Sequence, residues 1–435
     1  MVNRVAIKLK KYLINIGWLF AGKIFRMLLS MVAGIWVARY LGAEMFGALS
    51  FCMAVALLFR PVAMFQLEGI CVRELITSPN KKNEILGSAF ILSLGAGVLA
   101  FSAAMGFIHI LHPDMTIYSV IVAIAGTGLI FFCFEIFEFW FQAKVRAKAT
   151  VLSRTIVLCI GAILKIAGIY LNAGIFYFVW INTIETILMG FSLLIAYKFS
   201  GNTLLTLKVK WEWIKKLFSD AWPLALSGMA ATIYLRIDKI MIGQMTDTTH
   251  VGIYTAATRL AEAWYFLPIC IMTSLYPAVV KALKNKSKNQ NSRMQEMYNT
   301  MVLLGYITAI ITVLFAEPLI ILLFGPEYEQ SSQILVLYIW SGLFVNIAMV
   351  KAAWLKAMNY TRIQLLSTLT GAIINIGLNL LLIKHYGIVG AAWATIISYA
   401  VEGYFILFLF PETRRQAKMI TKAIFKPVVK INKLF

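Results

Sequence analysis

Apolar runs of twenty or more residues recur along the whole chain, broken by glycine, proline, asparagine and clusters of charge. A helix rises about 1.5 Å per residue, so about 20 such residues cross the roughly 30 Å hydrocarbon core of a bilayer. Twelve spans follow, at 14–37, 45–66, 85–109, 116–142, 150–171 and 175–197 in the first half and 218–244, 251–280, 298–324, 331–355, 363–383 and 388–410 in the second. The pattern predicts an all-α polytopic membrane protein of about twelve transmembrane helices. The run from Ile14 to Val37 carries Lys23 and Arg26 and passes into a second span without a small-residue cleavage site, so it reads as a span and not a cleavable signal.

Composition agrees with this pattern. Of the 435 residues 61% are hydrophobic and 14% charged, more apolar surface than a soluble core hides. A net charge of +21 would suggest nucleic acid in a soluble protein, but its placement gives it another meaning. Alternate connections hold 30 of the 40 Lys and Arg residues: Arg4 to Lys11, Arg73 to Lys82, Lys144 to Arg154, Lys198 to Lys216, Lys281 to Arg293, Lys356 with Arg362, and Arg414 to Lys433. The opposite connections hold only Arg39 and Lys384. Positive residues stay on the cytoplasmic side, so both termini are expected there, in a bacterial inner membrane, with no nucleic acid as partner. Cys52, Cys71, Cys133, Cys159 and Cys270 stand singly in apolar sequence and read as small hydrophobes.

The halves resemble one another. A shift of 205 lays Phe46-Gly47-Ala48-Leu49-Ser50 on Val251-Gly252-Ile253-Tyr254-Thr255, and a shift of 214 lays Trp140-Phe141-Gln142-Ala143 on Trp354-Leu355-Lys356-Ala357. Six spans per half make this a parallel repeat. The expected division is an N-terminal lobe at 1–200, a cytoplasmic linker at 201–217, a C-terminal lobe at 218–410 and a basic cytoplasmic tail at 411–435.

Trp18-Leu19-Phe20, Ala38-Arg39-Tyr40-Leu41-Gly42 and Phe46-Gly47 resemble the opening of O-antigen flippases of the Wzx type, in the multidrug/oligosaccharidyl-lipid/polysaccharide exporter superfamily. Phe324-Gly325-Pro326-Glu327-Tyr328 is similar to the turn after that family's ninth helix. Asn375-Ile376-Gly377-Leu378-Asn379 and Tyr386-Gly387-Ile388-Val389-Gly390-Ala391-Ala392 resemble its last two helices. The resemblance implies two six-helix lobes around a central cationic cavity. It also implies transport of an undecaprenyl-diphosphate-linked oligosaccharide, an O-antigen or similar repeat unit, from the cytoplasmic to the periplasmic leaflet.

An ionisable side chain within a span costs about 3 kcal/mol or more, so each is expected to meet a cavity, a partner or the interface. Eight cations lie within the spans: Lys23, Arg26, Arg60, Lys165, Arg236, Lys239, Arg259 and Lys351. Such an excess suits a diphosphate, whereas a carrier of organic cations wants carboxylates. Seven are candidate substrate contacts: Lys23, Arg26, Arg60, Arg236, Lys239, Arg259 and Lys351. On the first span Asn15, Gly22, Lys23, Arg26, Ser30 and Ala33 fall within an arc of about 100°; on the seventh Gly228, Thr232, Arg236, Lys239 and Gly243 fall within about 80°. Either these stripes face one wet cleft, or Lys23 and Arg26 snorkel to the interface. Arg60 beside Pro61 suits either a phosphate or Glu68, and Arg259 either substrate or Glu262 three residues on. Lys351 lies near enough to its span's end to snorkel.

No GxxxxGK[ST] loop is present to use ATP, which leaves ion coupling, by H+ or Na+. Glu185, Asp238 and Glu262 are the candidate ion-coupling carboxylates, with Glu135 and Glu138 beside them. Glu185 suits protonation best because no cation lies within one turn of it, the other reading being a match to Lys165. His109 and His112 have no third ligand and read as an interfacial pair; Asn375 and Asn379 share a face and suit interhelical hydrogen bonding or substrate. No nucleophile, base and oxyanion set is evident, so neither an enzyme nor a cofactor is expected. Expected partners are the lipid-linked substrate, membrane lipid and a polysaccharide polymerase and chain-length assembly. The competing function is a multidrug or organic-cation antiporter.

Overall fold

A computed structural model describes residues 2–114, 117–273 and 290–428. The end of the eighth expected span, the loop lysines from Lys281 to Lys288, tail residues Lys430 and Lys433, and the side chain of Asn15 lie outside the described residues. The described chain is helical, without β-strand. In order the helices are α1 Val2–Leu58, α2 Arg60–Met64, α3 Leu67–Thr77, α4 Lys82–Leu111, α5 Ile117–Phe131, α6 Ile136–Ala143, α7 Ala147–Tyr170 and α8 Ile175–Phe199. They continue with α9 Trp211–Met245, α10 Thr248–Ala263, α11 at 266–273, α12 Gln290–Phe324, α13 Gln330–Tyr338, α14 Ser341–Ala357, α15 Thr361–Gly403 and α16 Arg414–Phe425.

Eight helical stretches among the described residues are long and apolar enough to cross a membrane. Two of them are broken by a glycine. At 57 residues α1 would measure roughly 85 Å if straight, but Gly42 adopts φ 71° and divides it. Gly387, at φ 56°, divides the 43-residue α15 in the same way. Both are left-handed conformations open to glycine at little cost. The expected spans in α9 and α10 are not among the eight: Asp220, Arg236, Asp238 and Lys239 lower the apolarity of α9, and α10 has only 16 residues and carries Arg259 and Glu262.

The described residues fall into two compact units. The first combines α1 up to Leu41 with Ala48–Thr232. Its core joins α3, α4, α6 and α8 through Leu67, Ile85, Phe137, Phe141 and Tyr197, and takes in Trp213, Leu217 and Ala221 from the start of α9. Residues 201–217 are therefore not a free connection. The Lys208 amide donates to the Asn83 carbonyl at 3.1 Å, and the Lys210 amide to Ser88 Oγ at 3.0 Å. Gly87 permits this approach, because a Cβ there would stand 2.5 Å from the Lys208 carbonyl oxygen. The second predicted span breaks where its proline predicts: α1 ends, Pro61 opens α2, and Phe65 and Gln66 take left-handed φ of 50° and 48° before α3.

The second unit combines Gly42–Gly47 with Ile233 onward. Its core joins α12, α14 and α16 through Met297, Tyr298, Met301, Ile347, Val350, Trp354, Ala417 and Ile420. Inside it, Ala43–Gly47 crosses the start of α10 backbone to backbone. A Cβ on Gly47 would collide with the Thr248 carbonyl, and one on Gly252 with the Ala43 carbonyl. Thr248 and Gly252 follow Ala43 and Gly47 by 205 residues, since 248 − 43 and 252 − 47 are equal, so the crossing is reciprocal at the offset of the internal repeat. Trp140 and Trp354, from the second repeated motif, are buried alike at 6% and 5% exposure.

Candidate functional site

Each unit holds its own cluster of charge. In the first, the α2–α3 break, α6 and the start of α7 bring polar groups together on otherwise apolar helices. Arg154 donates through Nε to Glu138 at 3.1 Å, pairs with the same carboxylate through Nη2, and reaches Glu135 at 3.5 Å. Gln142 Nε2 donates to Glu68 at 2.8 Å. Arg60 stands 4.9 Å over the Phe132 ring and within electrostatic reach of Glu135. Arg26 enters from α1, close enough to Arg154 and Glu138 to feel both, and its Nη1 is buried without a hydrogen-bond partner among the described residues. Lys23 is exposed. The Gln66 amide, on the helix break, lies against Gly228 of α9, where a Cβ would come within 2.5 Å.

Glu185 is placed apart from this cluster. Along the chain it has no cation within one turn, but Lys165 of α7 reaches across and donates to it at 2.7 Å. The carboxylate fits there because Gly161 has no side chain to displace it. With both side chains 15% exposed, this is an ion pair between helices and not a lone protonatable acid.

The second unit gathers Arg236, Asp238, Lys239, Arg259 and Glu262. Lys239 interacts electrostatically with the other four. Arg259 stands 5.6 Å over the Phe46 ring and interacts with Glu262 and Tyr328, while its Nη1 is buried with no hydrogen-bond partner among the described residues. Glu262 itself is exposed. Asp238 is 6% exposed. Its Oδ1 accepts from Asn379 Nδ2 at 2.6 Å, and its Oδ2 from the Thr395 hydroxyl at 2.7 Å and the Tyr254 hydroxyl at 3.0 Å. Asn379 Nδ2 also reaches Asn375 Oδ1 at 3.2 Å, and Asn379 Oδ1 is buried without a partner among the described residues. Two hydroxyls and one amide nitrogen thus donate to a carboxylate that forms no salt bridge among the described residues. The sequence leaves Asn375 and Asn379 between interhelical hydrogen bonding and substrate, and gives no sign of Tyr254 and Thr395, which look like ordinary span residues until α10 and α15 meet α9.

Lys351 is fully buried at 0% exposure and does not snorkel. Its Nζ donates to Glu402 Oε1 at 2.5 Å and to the Glu402 carbonyl at 2.6 Å. Pairing between α14 and the last turn of α15 removes the need to reach the interface. Removing one member of such a pair leaves an uncompensated buried charge, which costs about 3–5 kcal/mol, whereas replacing both is near neutral. Lys351→Met is thus expected to lower the unfolding midpoint sharply, and Lys351→Met with Glu402→Leu to recover most of it, as followed by thermal denaturation in detergent.

Comparison with solved structures gives the same architecture. The lipid II flippase MurJ in an inward closed conformation aligns at a TM-score of 0.73 with 17% identity, covering 94% of this chain and 91% of that one. An inward-facing multidrug resistance MATE family transporter of the MOP superfamily aligns at 0.74 with 16% identity, covering 91% and 96%. The fold is therefore that of a polytopic membrane protein of the multidrug/oligosaccharidyl-lipid/polysaccharide exporter type. Residues 12–283 match the family described as polysaccharide biosynthesis protein, and the chain belongs to that family. Residues 223–381 also match MatE. Among curated relatives, a probable low-salt glycan biosynthesis flippase of Haloferax volcanii is 24% identical over 393 residues, 88% of this chain and 80% of the relative.

Proposed function

We propose that this protein is a flippase that carries a polyprenyl-diphosphate-linked oligosaccharide, an O-antigen or similar repeat unit, from the cytoplasmic to the periplasmic leaflet of an inner membrane, by ion-coupled alternating access through twelve spans. The observation that carries this reading is a half-buried arginine in each unit, Arg26 in one and Arg259 in the other, whose Nη1 is buried with no hydrogen-bond partner among the described residues. A cation left short of partners in a low-dielectric setting is costly unless an anion arrives to complete it. A diphosphate supplies such an anion and offers several acceptor oxygens. Lys23, Arg60, Arg236 and Lys239 complete the proposed phosphate-binding set, whereas Lys351 acts through its structural pair with Glu402. The name of the Haloferax relative and the family description support a glycan cargo.

Ion coupling is assigned to Asp238 in place of Glu185. Its oxygen-rich surroundings suit either H+ or Na+, and its neighbour Lys239 ties it electrostatically to the proposed anion site. Glu262 is assigned to the same cluster as a counter-charge for Arg259 and Lys239. In this reading both termini are cytoplasmic, and the protein works with a polysaccharide polymerase and chain-length assembly.

The MatE match favours one rival, an antiporter of organic cations. Against it, the carboxylates of the first unit are already engaged, Glu135 and Glu138 by Arg154 and Glu68 by Gln142. Deleting the gene separates the two. The flippase reading expects loss of displayed polysaccharide and accumulation of lipid-linked oligosaccharide inside the cell, with drug tolerance unchanged. Intact display with hypersensitivity to organic cations would establish the antiporter instead.

A further inference from the structure

The C-terminal helix α16 packs on the second unit by one face and leaves the other uncovered among the described residues. It buries Gln416, Ala417, Ile420 and Ala423 and is fastened by three bonds from α12: Gln295 Nε2 to the Met419 carbonyl at 2.9 Å, Tyr306 OH to the Ile424 carbonyl at 3.0 Å, and Asn299 Nδ2 to the Val428 carbonyl at 2.6 Å. Its free face is basic. At 100° per residue Arg415, Lys418 and Lys422 fall within an arc of about 60°, Lys426 follows as the cap just past the helix, and all four are exposed. No acidic residue follows Glu412 in the chain, and none of the four forms a salt bridge among the described residues.

Lys418, Thr421, Lys422, Phe425 and Lys426 line an open groove of about 320 Å³. Three ammonium groups thus stand beside an aromatic ring that is 78% exposed. The turn just before the helix leaves Phe405, Phe408 and Leu409 exposed as well. Cations alone would suit any polyanion, but cations bordered by uncovered aromatic and aliphatic side chains suit a surface that is anionic at one depth and hydrocarbon at the next. The bilayer interface has that order, and lysine stems reach from one layer to the other.

We propose that this groove binds an anionic phospholipid of the surrounding bilayer, with Lys418, Lys422 and Lys426 on the headgroup phosphate and Phe425 against the upper acyl chain. The helix then pins the second unit to the anionic leaflet independently of cargo.

The test reconstitutes the full chain in phosphatidylcholine vesicles containing a trace of phosphatidylglycerol with a photoreactive acyl chain, and maps cross-links by peptide mass spectrometry. Labelling is expected within 414–428, reduced at least about tenfold by excess phosphatidylglycerol and unaffected by excess phosphatidylcholine or millimolar inorganic phosphate. Lys418→Gln with Lys422→Gln and Lys426→Gln should lose the label, while the matching three Lys→Arg changes keep it. Because these side chains are exposed, both triple variants should melt with the wild type in detergent; if the glutamine variant does not, the arginine variant and the competition carry the test. Equal labelling by a phosphatidylcholine probe, or undiminished labelling of a folded glutamine variant, would overturn the site. Displacement by inorganic phosphate, or preferential displacement by a polyprenyl diphosphate, would also overturn it by pointing to free phosphate or to cargo.

Discussion

Arg26→Ala and Arg259→Ala, each present in the membrane at wild-type abundance, are expected to reduce polysaccharide display to background. A diphosphate carries about two negative charges, and stripping their water costs several kcal/mol per charge unless fixed cations replace it. Each 1.4 kcal/mol added to the highest barrier slows the crossing about tenfold, so losing one charge-assisted contact of about 3 kcal/mol there costs roughly a hundredfold in rate. Arg→Lys should retain part of the activity, because the charge persists while the planar fork does not. Arg259 has a further reason to differ from lysine, since its guanidinium stacks over Phe46. Each Nη1 gives up no hydrogen bond among the described residues, while Arg259→Ala also gives up the contact over Phe46, so wild-type abundance and an unchanged melting temperature in detergent are the controls for the fold. Full display from both alanine variants would remove these residues from the phosphate path and return Arg26 to the interface.

Asp238→Asn should separate movement from its energy source. The substitution keeps the shape of the side chain and its place between α9, α10 and α15, but removes the charge that draws an ion. One acceptor oxygen is replaced by an amide donor facing Asn379, Thr395 and Tyr254, whose donors now converge on Asp238. Transport down a substrate gradient should persist, while accumulation driven by an imposed H+ or Na+ gradient is lost. A ligand can shift a conformational equilibrium only by its differential affinity for the two states, and a neutral side chain here offers the ion little. Glu185→Gln is the matched control. It leaves Lys165 an amide oxygen in place of the carboxylate that accepts from it at 2.7 Å and so removes the balancing charge, which should lower stability while leaving the response to the gradient intact. If Glu185→Gln abolishes gradient-driven transport and Asp238→Asn does not, the coupling site lies between α7 and α8.

The contrast between these two acids shows what the sequence could and could not reveal. Breaks at Gly42, Pro61 and Gly387 were legible because local chemistry decides them: two glycines take positive φ and a proline cannot continue a helix. The reciprocal glycine crossing was half legible, as a repeat offset with no indication that its two copies touch. Pairing between helices was legible only in part. Lys165 lies 20 residues from Glu185, and Lys351 lies 51 from Glu402; neither separation matches helical spacing, so the match of Lys165 to Glu185 stood only as the second reading of that acid, and Lys351 was assigned to substrate or interface. Arg154 was missed for the opposite reason. It stands among loop cations at the start of α7, where the positive-inside pattern explains it, yet it turns back onto Glu135 and Glu138. Residues 201–217 look like a polar connection, but the i, i+4, i+8 series Trp213, Leu217 and Ala221 carries them into the core of the first unit.

The central claim is that the cargo is a lipid-linked diphosphate. Purified protein in vesicles holding a fluorescent polyprenyl-diphosphate oligosaccharide in one leaflet gives the most direct measurement, with exposure of the sugar followed by a membrane-impermeant lectin or quencher. Wild-type protein should move the label to the opposite leaflet, faster under an imposed ion gradient, and an organic cation in large excess should not compete. Label that stays in its leaflet while the same vesicles exchange organic cations would contradict the account.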